Sequence, residues 1–92
     1  MNKKKNEINM LNKINSVLEP INAQVIRFDI YYEVFGNMIL EIIMGNERHK
    51  FVTDKGEIFH NQHLVFDNSY HEAGKHDTFD YLLKAIKKVL VN

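Results

Sequence analysis

The feature of this 92-residue chain that most constrains its fold is a stretch of regularly alternating apolar residues. Alternation with a period of two is typical of a β-strand, because successive side chains of a strand point to opposite faces of a sheet. The stretch is interrupted at Gly36-Asn37 and then resumes, which predicts two antiparallel strands joined in a hairpin. The apolar positions are Ile26, Phe28, Ile30, Tyr32 and Val34 before the interruption and Met38, Leu40, Ile42 and Met44 after it.

The length of the connection decides which side chains of this hairpin share a face. A two-residue loop at Gly36-Asn37 would place the apolar residues before the loop, such as Ile30, and those after it, such as Leu40, on opposite faces of the sheet. A three-residue loop, Phe35-Gly36-Asn37, places both groups on one face. Asn37 tolerates the left-handed conformation that such a loop requires. We therefore predict the three-residue loop.

Three further turn sequences predict more strands. Gly45-Asn46 fits a two-residue hairpin loop, which places His49 on the core face. Asp54-Lys55-Gly56 fits a three-residue turn, which places Phe59 in the core and Ile58 on the outer face. A turn at Asn61-Gln62 then leads into a short edge strand over residues 64–66.

Apolar residues at three- and four-residue spacing predict a helix at each end of the chain. The first covers residues 7–18, because Pro20 blocks its continuation. The second follows Asp77, which is a good N-cap. The buried stripe of this second helix is predicted to consist of Phe79, Leu82, Leu83, Ile86 and Leu90.

The predicted fold class is therefore α+β in two layers: a helix, an antiparallel β-meander of four to five strands, and a second helix, with both helices on one sheet face. Residues 1–92 form a single domain, in which residues 1–5 are expected to be disordered. The predicted core combines Ile30, Tyr32, Leu40, Ile42, Phe51, Leu82 and Ile86.

Charge and cysteine content narrow the class of protein. The 12 basic and 12 acidic residues cancel, which argues against the broad positive field that sequence-independent binding to nucleic acid needs. The absence of cysteine excludes a disulfide framework and a thiolate zinc site, and no membrane span or secretory signal is recognisable. We therefore expect a cytoplasmic protein, and the frequency of Asn, Lys and Ile suggests a bacterial or phage origin.

Four histidines between residues 60 and 76 are the candidate metal ligands. A turn at Asn61-Gln62 would place His60 opposite His63, close enough to share a divalent ion. The loop that follows would supply His71 or His76. The spacing matches no standard zinc pattern, and exposed imidazoles on loops account for it equally well. A divalent ion is therefore the only cofactor that the sequence suggests.

No catalytic residues are predicted. The chain has only two serines, Ser16 and Ser69, no cysteine, and no glycine-rich turn that opens a helix. His76-Asp77 could form an acid-base pair, but a histidine beside a helix cap accounts for this dipeptide more simply. We therefore expect a protein that is not an enzyme.

Nucleic-acid binding is the alternative function. The order helix, three-strand meander, helix is similar in topology to the double-stranded-RNA-binding domain, which implies RNA as a partner. The basic residues of the last helix that could contact phosphates are Lys84, Lys87 and Lys88. That family has its basic cluster at the start of its final helix, where this chain has Asp77 and Asp80, which would repel phosphate.

The outer sheet face is the candidate surface for a protein partner or a second copy. A sheet with only one covered face should carry polar residues on the other, yet several apolar residues are predicted there. They are Tyr31, Ile39, Ile43, Val52 and Ile58. We therefore expect a non-enzymatic protein-interaction module, such as a small bacterial or phage inhibitor or immunity-type protein, or a homodimer.

Overall fold

The computed structural model describes residues 3–34, 36–67 and 78–91. It contains two helices and a five-stranded antiparallel sheet in which each strand pairs with the next one along the chain. Both helices pack against the same face of this sheet. The predicted α+β class and the β-meander are therefore confirmed. The helices are α1 (Lys3–Leu18) and α2 (Thr78–Ile86). The strands are β1 (Ala23–Tyr31), β2 (Asn37–Met44), β3 (Glu47–Asp54), β4 (Glu57–His60) and β5 (His63–Asp67).

Helix α1 begins at Lys3, four residues before the predicted boundary, and so overlaps the segment expected to be disordered. It ends at Leu18, as predicted, and a single 3-10 turn that contains Pro20 follows. The left-handed conformation of Asn22 (φ 55°) then directs the chain into β1. Helix α2 continues into a π-helical turn, Lys87–Val91, and its predicted N-cap, Asp77, lies outside the described residues.

The core lies between the two helices and the sheet. Thr53 is the one buried polar side chain among the described residues, and its Oγ1 accepts a hydrogen bond of 2.9 Å from the backbone N–H of Met38. A buried hydroxyl with a partner is compatible with an apolar core. The fully buried apolar side chains are Ile14 and Leu18 of α1, Leu40, Ile42, Phe51 and Ile58 of the sheet, and Leu82 and Ile86 of α2.

The first hairpin has the predicted facing but a different loop. Residues 32–36 connect the strands through two successive turns, in which Val34 N–H donates to Tyr31 O and Asn37 N–H donates to Val34 O. Ile30 therefore lies opposite Met38, on the same face as Leu40. The prediction of a three-residue loop is wrong, and Gly36 (φ 67°), rather than Asn37, takes the left-handed conformation.

Three residues of the alternating stretch lie outside the core. Tyr32 and Val34 lie in the five-residue connection and are 37% and 50% exposed, so the predicted core position of Tyr32 is wrong. Ile26 lies at a β-bulge between Val25 and Arg27 and is 46% exposed. A bulge adds one unpaired residue to a strand. The alternation of inward and outward side chains is therefore interrupted at the bulge.

The turn between β3 and β4 reverses the predicted facing of β4. Only Lys55 (φ 50°) and Gly56 (φ 92°) form this turn, and Asp54 pairs with Glu57. Ile58 therefore lies opposite Thr53 and is 0% exposed, so its predicted place on the outer face is wrong. Because a change of one residue in a loop moves every later side chain to the other face, the outer position belongs to Phe59.

Candidate functional site

The sheet face that points away from the helices, the outer face, carries four apolar residues in a line. Ile39 of β2 lies opposite Val52 of β3, Val52 lies opposite Phe59 of β4, and Phe59 lies opposite Leu64 of β5. Residues that lie opposite each other on antiparallel strands project from the same face and contact each other. These four residues, called the apolar row, therefore run across four neighbouring strands.

The apolar row is accessible from solvent. Leu64 is 49% exposed, and the other three side chains are partly exposed. Two shallow hollows lie on the outer face on either side of Val52. One is lined by Lys50, Val52, Phe59, Asn61 and Gln62, and the other includes Tyr31, Val34, Asn37, Ile39, Val52 and Asp54.

Charged residues of opposite sign lie on the two sides of the apolar row. Along β3, Val52 has Lys50 two residues before it and Asp54 two residues after it, so the three side chains project from the same face. Asp54 pairs with Glu57 of β4, which makes that side acidic. Lys50 pairs with Glu41 of β2 on the other side.

Arg27 is compensated within its own chain. Its Nε lies 2.6 Å from Asp29 Oδ2 and its NH1 lies 3.1 Å from Glu41 Oε2. The hydrogen bond to Asp29, followed by the one to Glu41, raises the pKa of the Arg27 guanidinium. The single positive charge of this corner is therefore shared between two carboxylates of the same chain, which leaves Lys50 as the basic residue next to the apolar row.

Four of the five partner residues predicted from sequence lie on the outer face. Ile39 and Val52 belong to the apolar row, Ile43 lies opposite Arg48 further along β2 and β3, and Tyr31 ends β1 beside the row. Ile58 is in the core instead, because the turn before β4 is one residue shorter than predicted. Phe59 and Leu64 were missed, because Asp54-Lys55-Gly56 is compatible with a turn of two or of three residues, and only the two-residue turn places these side chains on the outer face.

The three described histidines, His49, His60 and His63, lie near one another at the end of the sheet, with the His49 and His60 rings stacked. The prediction that His60 lies opposite His63 is confirmed, and Asn61 and Gln62 both take left-handed conformations in the turn between them. His60 Nε2 lies 2.8 Å from His49 Nδ1. His49 lies on the core face as predicted, opposite Ile42, and both of its ring nitrogens have hydrogen-bond partners.

A chain of hydrogen bonds connects these rings to a carboxylate. His49 Nε2 lies 3.0 Å from Glu47 Oε1, and a carboxylate can only accept, so His49 donates from Nε2. His49 Nδ1 then accepts from His60 Nε2, in the tautomers that satisfy both bonds. The His49 and His60 rings stack with centroids 5.0 Å apart, and Phe51 packs against the His60 ring at 4.9 Å.

The predicted metal site is not assembled by these residues. Within residues 3–34, 36–67 and 78–91, no group of three or more His, Cys, Asp or Glu side chains is arranged to hold a metal ion. His71 and His76, which were to complete the site, lie outside the described residues. Binding of a divalent ion therefore stays a prediction.

The histidine cluster makes stability depend on pH. Burial, and then repulsion from His49 and His63, lowers the pKa of His60 below its ordinary value of 6.5. Between pH 6.5 and the lower pKa of the folded state, the unfolded chain binds more protons than the folded chain. The free energy of unfolding therefore falls as pH drops through 6.5 toward the folded-state pKa.

Urea unfolding at about pH 8 and about pH 5 tests this dependence. Between these two pH values, we expect His60→Gln to lose less stability than the wild type loses.

The control for this experiment is His63→Gln, which changes the exposed histidine that lies opposite His60 on β5. This variant should retain most of the wild-type loss, because it leaves His60 packed against Phe51 and His49. An equal loss of stability in the wild type and in His60→Gln would contradict the assignment of the effect to His60.

Two of the three lysines predicted to contact nucleic acid are engaged with their own chain. Lys84 Nζ lies 5.1 Å from the centroid of the Tyr81 ring, a cation–π distance. Lys88 Nζ donates to Val65 O at 3.3 Å, which links α2's extension to β5. Lys87 is exposed. Binding of nucleic acid through these three lysines stays a prediction.

The remaining features of the described chain point to no other class of site. Ser16 Oγ donates to Asn12 O at 2.9 Å within α1, and Ser69 lies outside the described residues. Neither described helix has the length and apolar character needed to cross a membrane. Comparisons of this chain with protein-family models, with curated proteins and with solved structures found no match.

Proposed function

We propose that this chain is a protein-interaction module without catalytic activity, and that it binds its partner through the outer face of the sheet. The observation that carries this proposal is the apolar row of Ile39, Val52, Phe59 and Leu64, which continues through the pairing of four strands. An outer face that had only to meet water would not need four apolar neighbours in one line.

The energetics of burial support a partner. Covering apolar surface is favourable by about 25 cal/mol per Å², and an aromatic residue near the centre of a contact often contributes most of the binding energy. Phe59 has this position, with Val52 on one side and Leu64 on the other. The charged residues around the row would then form a polar rim, as is common in protein interfaces.

A more specific role belongs to the same proposal. A small neutral domain without cysteine suits an inhibitor or immunity-type protein that acts in the cytoplasm by covering a surface of its target. Such a protein needs a rigid contact face more than a deep cleft, and a sheet backed by two helices supplies one. The composition that suggests a bacterial or phage origin is compatible with this role.

The test compares Val52→Glu with Lys87→Glu in two assays. Immobilised wild-type chain, incubated with lysate, should retain a defined protein that Val52→Glu loses, because the new carboxylate would have to be buried in the contact. Lys87→Glu should retain the same protein. The second assay measures binding of a duplex RNA or DNA of defined sequence at physiological salt. If the wild type binds this duplex and only Lys87→Glu loses it, the proposal is contradicted.

A further inference from the structure

The pattern of charges beside the apolar row is self-complementary. Lys50 and Asp54 lie on the same strand and on the same face, each two residues from Val52. They have opposite charges, and each lies on its own side of the row. A second copy of the same face can therefore present an acid where the first presents a base.

We infer that the partner of the outer face is the outer face of a second copy of this chain, related by a two-fold axis that runs along the apolar row. This inference rests on the proposed function. Rotation about that axis exchanges the two sides of the row, so Lys50 of each copy lies over Asp54 of the other. Val52, Phe59 and Leu64 each meet their own counterpart across the axis.

The alternative two-fold axis, parallel to the strands through β3, is electrostatically unfavourable. It would place Asp54 over Asp54 and Lys50 over Lys50, with like charges opposed in both places. The charge pattern of β3 therefore selects the axis along the row.

The other residues beside the row are compatible with this arrangement. On β1 the rotation places Tyr31 of one copy over Arg27 of the other. On β2 it places Asn37 of one copy over Glu41 of the other. No like charges are therefore opposed on these two strands. Asp29 ends the row on β1 and would approach its own counterpart. Its charge is compensated by Arg27 of the same chain at 2.6 Å.

The outer face has the area of a small interface. Strands of 9, 8, 8, 4 and 5 residues, at about 3.3 Å per residue and about 4.8 Å between strands, give an area of roughly 540 Å². This area is below the value of about 800 Å² that each partner commonly contributes to a specific interface, so we expect a weak dimer. The molecule measures 36 × 30 × 17 Å, so the outer face is one of its broad sides.

Sedimentation equilibrium of the full chain tests the inference through charge exchange. The wild type should dimerise, and Lys50→Asp or Asp54→Lys alone should weaken the dimer roughly threefold to tenfold, because each creates two like-charged contacts. The double variant, Lys50→Asp with Asp54→Lys, should restore wild-type affinity. No effect of the single variants, or no recovery in the double variant, would overturn the axis along the row.

Cross-linking gives a second measurement that does not depend on charge. The natural chain has no cysteine, so Leu64→Cys introduces a single thiol at the β5 end of the row. With the axis along the row, two Cys side chains meet, and a short bis-maleimide should link the copies in high yield. The axis parallel to the strands would place β5 over β1 and leave the thiols far apart. Lys87→Cys, on the helical side, is the matched control.

The outcomes separate this inference from the proposed function. A chain that stays monomeric at millimolar concentration overturns the second copy as partner. If the same monomer still captures a defined protein and loses it with Val52→Glu, the proposed function stands. If Val52→Glu dimerises as well as the wild type and also retains the captured protein, both the proposed function and the inference of a second copy are overturned.

Discussion

Replacing Ile58 with alanine is expected to lower the free energy of unfolding by about 2–5 kcal/mol. Ile58 is 0% exposed and packs in the core shared by the sheet and both helices, so its truncation leaves a cavity. Phe59→Ala, one residue later, should cost only about 1 kcal/mol, because the Phe59 side chain projects from the outer face. Urea unfolding of the two variants beside the wild type measures both values.

This pair of variants is a direct test of the turn at Lys55-Gly56. A three-residue turn would exchange the roles of Ile58 and Phe59, so a larger loss for Phe59→Ala than for Ile58→Ala would contradict the register. The measurements should be repeated at several protein concentrations, since self-association through Phe59 would add to the apparent stability of the wild type.

Replacing Phe59 with glutamate is expected to weaken binding through the outer face at least about thirtyfold. Phe59 lies between Val52 and Leu64 in the apolar row, where an interface would exclude water most completely. A buried carboxylate without a partner should cost at least about 2 kcal/mol, or roughly a thirtyfold loss of affinity. Calorimetry with the identified partner, or sedimentation for a second copy, measures this loss.

The control for this variant is Ile26→Glu. Ile26 is an aliphatic residue at the bulge of β1, 46% exposed and outside the apolar row, so the same charge there should leave affinity close to that of the wild type. Circular dichroism should show that both variants remain folded. Equal loss of affinity in the two variants would indicate a general effect of negative charge rather than a contact at Phe59.

The histidine cluster shows what long-range pairing adds to a local pattern. His49 and His60 are eleven residues apart, and the register of β3 and β4 brings their ring nitrogens to 2.8 Å. The sequence placed His60 opposite His63 correctly, because only the short turn at Asn61-Gln62 separates them. The contact with His49 depends on the length of the preceding turn, and therefore could not be predicted in the same way.

Periodicity alone determined the order and type of the elements. Met38, Leu40 and Ile42 alternate on β2 and are all buried, and Phe79, Leu82 and Ile86 are buried along α2, as predicted. Each pattern depends only on the fixed geometry of one element, so its neighbours in space were not needed to interpret it. The two-residue turn at Gly45-Asn46 was also predicted, because Gly45 (φ 63°) takes a conformation that favours glycine.

The tertiary structure decided the facing of β4, and with it the composition of the outer face. Asp54-Lys55-Gly56 is compatible with a turn of two or of three residues, and the two lengths place opposite sets of side chains in the core. Burial of Ile58 beside Thr53 against the helices selects the two-residue turn and leaves Phe59 outside. Local sequence cannot make this choice, because the energy that separates the two registers comes from packing against residues distant in the chain.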